Sequence, residues 1–226
     1  MKIICLIFAR GNSKGLKNKN ILKFKNTTLL GNSINQAKKI SLIKDIYVST
    51  DSEKIIKKAL FYGAKVPFKR PKMYSGDRSP EIYAWRHALK FLKKKKLTTD
   101  YIVTLPVTSP LRSLIDIKKC IKLATSKKLD YVFTVNKSNR NPYFNIVQKD
   151  LNKVKKVINK KNIFRRQDAP VCYDMNNACF VFSSKYILTN TDVFRGKCDF
   201  VVMPKSRSID IDDYFDYKLI KKLSNK

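Results

Sequence analysis

The stretch KIICLIFARGNSKGLKNKN, residues 2–20, joins an apolar run to a loop rich in glycine and cations. An unbroken apolar run such as IICLIF is typical of a strand that is buried on both faces of a parallel sheet. Gly11 and Gly15 allow the loop backbone to approach a ligand closely, and backbone N–H groups in such turns bind phosphate oxygens. Because ligands of open parallel sheets bind where strands lead into helices, the stretch predicts a first strand followed by a phosphate-binding loop.

The spacing of the two glycines excludes two common nucleotide-binding motifs. Three residues separate Gly11 from Gly15 and no lysine follows directly, so the motif G-x-x-x-x-G-K-[ST] is absent, and so is G-x-G-x-x-G. The charge that binds a triphosphate would come from Arg10, Lys14 and Lys19 through charge-assisted hydrogen bonds. The alternative interpretation of this loop is a glycine-containing turn with solvent-exposed lysines.

Apolar strands and amphipathic helices alternate along the chain up to residue 135. Such alternation is typical of right-handed βαβ units, which build a parallel sheet with helices on both faces. We therefore predict an α/β fold of three layers with a mostly parallel, Rossmann-like sheet. The predicted strands are residues 2–8, 45–50, 65–70, 100–106 and 130–135, and the predicted helices are residues 28–40, 53–63, 79–95 and 113–128.

The alternation is interrupted at residues 136–170. Two β-like runs flank a turn at residues 150–152, and a polar segment follows, which predicts an inserted hairpin and loop. No internal repeat and no interdomain linker are visible, so we predict one domain, residues 1–226, that carries this insertion. After the insertion the predicted elements are strands at residues 178–183 and 199–204 and a closing helix at residues 212–225.

The composition favours a cytoplasmic protein without a membrane span. The first apolar run is too short to cross a bilayer and lacks a cleavage site, and the five cysteines are odd in number and contain no C-x-x-C. This cysteine pattern favours free thiols in a reducing cytosol. The formal net charge of +32 comes from lysines scattered over every segment, so we expect solvated basic faces rather than a surface built for nucleic acid.

Two carboxylates near the end of the chain are candidate metal ligands. In the stretch SIDIDDYFD, residues 208–216, an extended backbone places Asp210 and Asp212 on one face, with Cα atoms about 6.6 Å apart. Two carboxylates in that position can bind one Mg²⁺ that also binds phosphate oxygens. The alternative is helix capping by Asp212, with Asp213 and Asp216 in the first turn of the closing helix.

The opening signature ARGNSKGLKNKNI resembles that of the acylneuraminate cytidylyltransferases, in which Arg, Ser-Lys-Gly and Lys-Asn occur at this spacing. The resemblance spans nearly the whole chain. Further matching stretches follow in the family's order: VSTDSEKIIKKALFYGA at 48–64, RP at 70–71, TSPLR at 108–112, RRQ at 165–167 and SIDIDDYFD at 208–216.

The resemblance implies an enzyme that joins CTP to the anomeric hydroxyl of a nonulosonic acid, with release of pyrophosphate and with Mg²⁺ as cofactor. It also implies a homodimer in which the inserted segment at residues 136–170 reaches the neighbouring subunit, with no nucleic-acid or membrane partner. The implied nucleotide-binding residues are Arg10, Ser13, Lys14, Lys19, Asn20, Arg70 and Asp77. The implied sugar-binding residues are Thr108, Ser109, Arg165, Gln167, Asp174 and Asn176. The implied metal ligands are Asp210 and Asp212, and the implied catalytic residues are Arg10, Lys19 and Asp212.

Two stretches depart from the family's pattern. Pro106 and Val107 stand where Gln-Pro is expected, and Asp174 stands where an arginine would bind the carboxylate of the sugar. A carboxylate facing a carboxylate is unfavourable, so either another cation such as Arg165 or Arg166 binds the sugar, or the acceptor differs. We favour a different, legionaminate-like acceptor that donates a hydrogen bond to Asp174.

The sequence leaves two other functions possible. One is a cytidylyltransferase for another acid sugar, such as a 3-deoxy-octulosonate, although the acidic motif usual at that enzyme's strand end is missing after YIVTL. The other is an α/β module that binds nucleic acid, whose affinity would fall steeply with salt and which would not turn over CTP.

Overall fold

The computed structural model describes residues 1–11, 15–76 and 79–224 of the chain. Its strands are β1 (Ile3–Phe8), β2 (Lys23–Phe24), β3 (Thr27–Thr28), β4 (Ile43–Ser49), β5 (Tyr101–Thr104), β6 (Tyr131–Lys137), β7 (Val147–Asp150), β8 (Lys153–Lys156), β9 (Tyr173–Ser183) and β10 (Cys198–Val202). Its α-helices are α1 (Leu29–Lys38), α2 (Glu53–Phe61), α3 (Glu81–Lys94), α4 (Leu114–Ser126), α5 (Ser184–Thr189) and α6 (Tyr214–Ser224).

The central sheet has six strands in the order β10-β6-β9-β5-β1-β4. Every neighbouring pair is parallel except the pairs that β9 makes with β5 and β6. The insertion explains this exception: β6 ends at the carboxyl edge of the sheet, the inserted segment follows there, and the chain re-enters the sheet from that edge. The mostly parallel sheet is therefore confirmed.

Alternate residues of β1 pack into two separate cores, one on each face of the sheet. Ile3, Cys5 and Ile7 pack with α1, α2, α4 and α6, whereas Ile4 and Leu6 pack with α3 and α5. Each of these five side chains is at most 2% exposed. This burial on both faces is why the run has no polar position, and it confirms the three layers. No α-helix in the described part of the chain is long and apolar enough to span a membrane.

The prediction of a strand at residues 65–70 is wrong. Only two isolated bridges occur there, from Lys65 to Tyr47 and from Lys69 to Thr50. Pro67 lacks the N–H that a continuous ladder needs, which explains the interruption. The other predicted strands and helices form, although β9 begins at Tyr173, five residues before the predicted start at 178.

The inserted segment forms a hairpin of its own. β7 and β8 pair only with each other, in antiparallel register with Asp150 opposite Lys153. The hairpin exposes large apolar side chains, and Leu151 at its tip is 90% exposed. Its predicted role in dimerisation stays a prediction.

Candidate active site

The loops at the carboxyl edge of the parallel strands enclose an open cavity of about 360 Å³. Its walls come from the segments that follow β1 and β5, from the first turns of α3 and from β9. Lining residues from these segments include Arg10, Lys19, Asn20, Glu81, Thr108 and Asn177. This is the position that ligands take in open α/β sheets, so the cavity is the candidate active site.

The first loop contributes cations that are held in place by the rest of the site. Lys19 donates a hydrogen bond from Nζ to the carbonyl of Ile211 (2.7 Å), and its Nζ lies 3.8 Å from Oδ1 of Asp212. Asn20 donates from Nδ2 to the carbonyl of Arg10 (2.9 Å). Arg10, Lys19 and Asn20 all line the cavity, as the sequence predicts, whereas the predicted nucleotide-binding residues Ser13 and Lys14 lie outside the described residues.

The two glycines of the loop make room for protein atoms. A Cβ atom at Gly15 would lie 2.5 Å from the carbonyl oxygen of Asp212, and one at Gly11 would lie 2.9 Å from Cβ of Ser52. The N–H of Gly11 donates to Oδ1 of Asp51 (2.8 Å). The sequence interpretation attributed both glycines to the close approach of a ligand. The structure shows a further reason for Gly15, because the backbone that carries Asp212 packs directly against it.

Arg70 is a buried cation at the cavity wall. It is 6% exposed, and two of its guanidinium nitrogens, Nε and Nη2, have no hydrogen-bond partner among the described residues. Burial lowers the pKa of Arg70 from its ordinary value, although Asp51, with Oδ1 3.9 Å from Nη2, acts in the opposite direction. As a buried cation in the cavity wall, Arg70 supplies positive charge that favours an anionic ligand. Asp77, which is also predicted to bind the nucleotide, lies outside the described residues.

The predicted metal ligands lie on the face of their segment that points away from the core. Ile211 between them is fully buried and donates its N–H to the carbonyl of Thr108 (2.9 Å). Asp210 accepts hydrogen bonds from Oγ of Ser109 and Nδ2 of Asn177, both at 3.0 Å. The side chain of Asp212 is 84% exposed. The predicted alternation of buried isoleucine and outward carboxylate is therefore present.

Capping of α6 does not involve the carboxylate of Asp212. Asp213 accepts a hydrogen bond from the N–H of Asp216 (3.0 Å). Asp216 in turn accepts from the N–H groups of Asp212 (2.9 Å) and Asp213 (3.2 Å). Asp213 and Asp216 thus form the reciprocal cap, and the capping interpretation of Asp212 is wrong.

The donor set fits a magnesium ion that is shared with a ligand. No group of three or more His, Cys, Asp and Glu side chains within the described ranges could hold a metal by itself. Mg²⁺ is commonly bound by one or two carboxylates, with substrate phosphates and water completing the coordination. Asp210 and Asp212 would hold the ion, beside the cations of the first loop.

Several predicted sugar-binding residues do not line the cavity of this chain. Asp174 is exposed on β9 and accepts a hydrogen bond from Nδ2 of Asn136 (3.3 Å). Asn176 is buried, and its Oδ1 accepts from Oγ1 of Thr134 (2.7 Å). Arg165 and Gln167 lie in the inserted segment, where Arg165 pairs with Asp168, with Nη2 3.2 Å from Oδ1. Of the six predicted sugar-binding residues, Thr108 lines the cavity and Ser109 positions Asp210.

Glu81 and Asn177 are cavity residues that the sequence interpretation missed. The sequence predicted Asn176, but its neighbour Asn177 lines the cavity. Successive residues of a strand point to opposite faces, so an error of one position selects the wrong side chain. Glu81 is exposed, yet desolvation by the surrounding protein raises the pKa of its carboxyl group above the ordinary value. The negative charge of Asp210 also raises this pKa, whereas the positive charges of Arg70 and Arg10 lower it.

A three-layer α/β sheet with a cationic loop after β1 and a buried arginine at one cavity is typical of a nucleotidyltransferase. Asp210 and Asp212 adjoin this cavity through its lining residues Asn177 and Lys19. The chain matches the family model described as cytidylyltransferase over residues 4–225 and belongs to that family. It is 39% identical over 221 residues to the CMP-N,N'-diacetyllegionaminic acid synthase of Campylobacter jejuni, covering 97% of this chain and 94% of that protein. It is 38% identical, with the same coverage, to the post-translational flagellin modification protein B of Campylobacter coli.

A solved structure shows the same fold. The structure of a CMP:2-keto-3-deoxy-manno-octonic acid synthetase complexed with CTP aligns with a TM-score of 0.72 over 100% of this chain and 99% of that one. The sequence identity is 12%, so this likeness concerns the fold alone.

Proposed function

We propose that the protein transfers a CMP group from CTP to the anomeric hydroxyl of a nonulosonic acid, releasing pyrophosphate. The observation that carries the proposal is the convergence of three cations, Arg10, Lys19 and Arg70, on one cavity. Three cations around one cavity suit a triphosphate, which carries about four negative charges near neutral pH. The relative named for N,N'-diacetyllegionaminic acid supports an acceptor of that class.

The side chains of the cavity and of the adjoining Asp210–Asp212 segment have separate roles in the reaction. Arg10, Lys19 and Arg70 bind the phosphates and stabilise the negative charge that builds up as the acceptor oxygen bonds to the α-phosphorus and the bond to pyrophosphate breaks. Asp210 and Asp212 would hold Mg²⁺, which when bound neutralises phosphate charge and stabilises the leaving pyrophosphate. Ser109 and Asn177 fix the orientation of Asp210 through the hydrogen bonds at 3.0 Å.

The test is pyrophosphate release from CTP with a panel of acceptors. We expect N,N'-diacetyllegionaminate to give a higher kcat/KM than N-acetylneuraminate. Pro106 lines the cavity at the position where the resemblance to the acylneuraminate cytidylyltransferases implies a sugar-binding glutamine. Release with a 3-deoxy-octulosonate alone would favour that alternative. No release with any acid, together with salt-sensitive DNA binding, would refute the proposal in favour of the nucleic-acid module.

We also infer that the protein is a cytoplasmic homodimer that uses its inserted segment as an interface. The support is the exposure of apolar side chains along this segment, with Val154 at 66%, Phe164 at 81% and Leu151 at 90%. Several large, exposed apolar side chains within one short segment favour an interaction surface. Light scattering of the purified protein tests this inference: a monomeric mass at micromolar concentration would refute it.

Replacing Arg10 or Lys19 with alanine is expected to lower kcat about 10²-fold or more, because each removes a cation that stabilises charge in the transition state. Lys17→Ala is the matched control, since Lys17 is an exposed cation of the same loop that does not line the cavity. We expect this control to stay within about threefold of the wild type. Initial rates at saturating substrates measure the effect, and equal rates for all three variants would contradict the assignment of the loop.

Gly15→Ala is expected to lower kcat about tenfold or more, because small displacements of positioned groups are costly in rate. The added Cβ would meet the carbonyl oxygen of Asp212 at 2.5 Å, so either the first loop or the Asp212 segment must move. Both carry groups that we assign to the reaction. The measurement is kcat together with the melting temperature, and wild-type kcat in a folded Gly15→Ala protein would show that the contact is irrelevant to activity.

A further inference from the structure

Glu81 is the one carboxylate among the described residues that line the cavity. It begins α3, and Ala84 and Trp85, one turn further along the helix, line the cavity as well. Side chains three and four positions apart share one face of a helix, so this face of α3 forms a wall that presents Glu81 to the ligand.

The structure shows no partner for the carboxylate of Glu81 among the residues that it describes. No hydrogen bond or ion pair within 4.0 Å joins it to another residue in the described part of the chain. Its electrostatic neighbours are Arg70, Arg10 and Asp210. The first two belong to the group of cations assigned to the nucleotide, so Glu81 lies on the nucleotide side of the cavity.

A negative charge at this position is unfavourable unless the ligand supplies hydrogen-bond donors. Phosphate oxygens and the carboxylate of an acid sugar are themselves negative, and an ionised carboxylate can only accept hydrogen bonds. The donors of CTP are the two hydroxyls of its ribose and the amino group of its base. The ribose is joined directly to the phosphates that Arg70 and Arg10 would bind, and its neighbouring hydroxyls match the two oxygens of one carboxylate.

We propose that Glu81 is a specificity-determining residue that accepts hydrogen bonds from the ribose hydroxyls of CTP and so selects the ribonucleotide over its 2'-deoxy counterpart. This inference rests on the proposed function, since it takes CTP as the nucleotide. A site that hydrogen-bonds a hydroxyl discriminates against the analogue that lacks it, and in this open cavity we expect a preference of about 10- to 100-fold.

The experiment measures the binding of CTP and 2'-deoxy-CTP by isothermal titration calorimetry with Mg²⁺ and without acceptor. The wild type is expected to bind CTP about 10- to 100-fold more tightly than 2'-deoxy-CTP. Glu81→Ala is expected to reduce this ratio of affinities to about threefold or less, because it weakens the binding of CTP and leaves that of 2'-deoxy-CTP unchanged. Glu81→Gln, which keeps the shape of the side chain, should give an intermediate ratio. Glu53→Ala is the matched control, since Glu53 begins α2, is exposed and pairs with Lys69 away from the cavity.

The outcomes separate this inference from the proposed function. If CTP does not bind the wild type, the proposed function itself fails. If CTP binds but Glu81→Ala weakens the binding of CTP and 2'-deoxy-CTP equally, the ribose assignment is overturned. It is also overturned if the ratio of the two affinities is unchanged while kcat/KM for the acceptor changes, since Glu81 then acts on the acceptor. Circular dichroism and the melting temperature of each variant ensure that weaker binding is not caused by unfolding.

Discussion

Asp212→Asn is expected to lower kcat for CMP-sugar formation about 10³-fold while changing the free energy of unfolding by less than about 0.5 kcal/mol. The carboxylate is 84% exposed, and Nζ of Lys19 lies 3.8 Å from its Oδ1. Its removal therefore costs little in the free protein, whereas a metal ion shared with the nucleotide loses a charged ligand. Pyrophosphate release at saturating substrates measures the first effect, and a denaturant titration measures the second.

The neighbouring aspartate provides the matched control. Asp213 caps α6 through Oδ1, an acceptor that asparagine keeps, so Asp213→Asn is expected to change stability by less than about 0.5 kcal/mol and to leave kcat within about threefold of the wild type. A chelator should abolish the activity of the wild type and added Mg²⁺ should restore it. Full activity of Asp212→Asn, or activity that survives the chelator, would rule out the proposed metal site.

Arg112→Met is expected to lower the free energy of unfolding by about 3 to 5 kcal/mol, because several buried acceptors lose their donor at once. Arg112 is 2% exposed and donates to the carbonyls of Pro106 (2.6 Å), Ser109 (2.9 Å) and Ala178 (3.1 Å) and to Oγ of Ser33 (2.6 Å). Burial lowers its pKa to about 10, so it stays charged near neutral pH. Methionine fills a similar volume but leaves these buried acceptors without a donor.

Denaturant titrations of three variants test this expectation. Arg112→Lys keeps a positive charge but has a single nitrogen in place of the guanidinium group. The free energy of unfolding of this variant should therefore lie between those of Arg112→Met and the wild type. Arg195→Met removes an arginine that is 83% exposed and lies 3.7 Å from Asp192, and it should cost less than about 0.5 kcal/mol. A loss below about 1 kcal/mol for Arg112→Met would show that the hydrogen bonds of this residue are replaced by other groups.

The pattern of apolar runs was sufficient to locate most of the sheet, because strands buried on both faces leave a clear signal in the sequence. The direction of β9 was not predictable, since apolar alternation is the same for a strand read from either end. Its direction depends on where the inserted segment returns to the sheet. The strand predicted at residues 65–70 failed because Pro67 removes a ladder hydrogen bond.

The candidate site was predictable where its residues lie within one short stretch. Lys19 and Asn20 after β1, and Asp210 and Asp212 on one extended face, could be placed from local patterns alone. Glu81 could not, because it reaches the cavity through the packing of α3, which no local pattern records. In β9 the prediction chose Asn176, whose side chain is held by Thr134, instead of its neighbour on the cavity side.

The hydrogen bond from Lys19 to the carbonyl of Ile211 joins residues 192 positions apart in the chain. During synthesis the first loop is made long before the carbonyl that holds its lysine and the backbone that packs against Gly15. Closing so long a loop costs entropy before any contact is gained, so the assembled site requires two segments that are far apart in the sequence. A nascent chain that stops short of residue 211 has the phosphate-binding loop but lacks the support that orients it, so nucleotide binding has to wait until both segments have been synthesised.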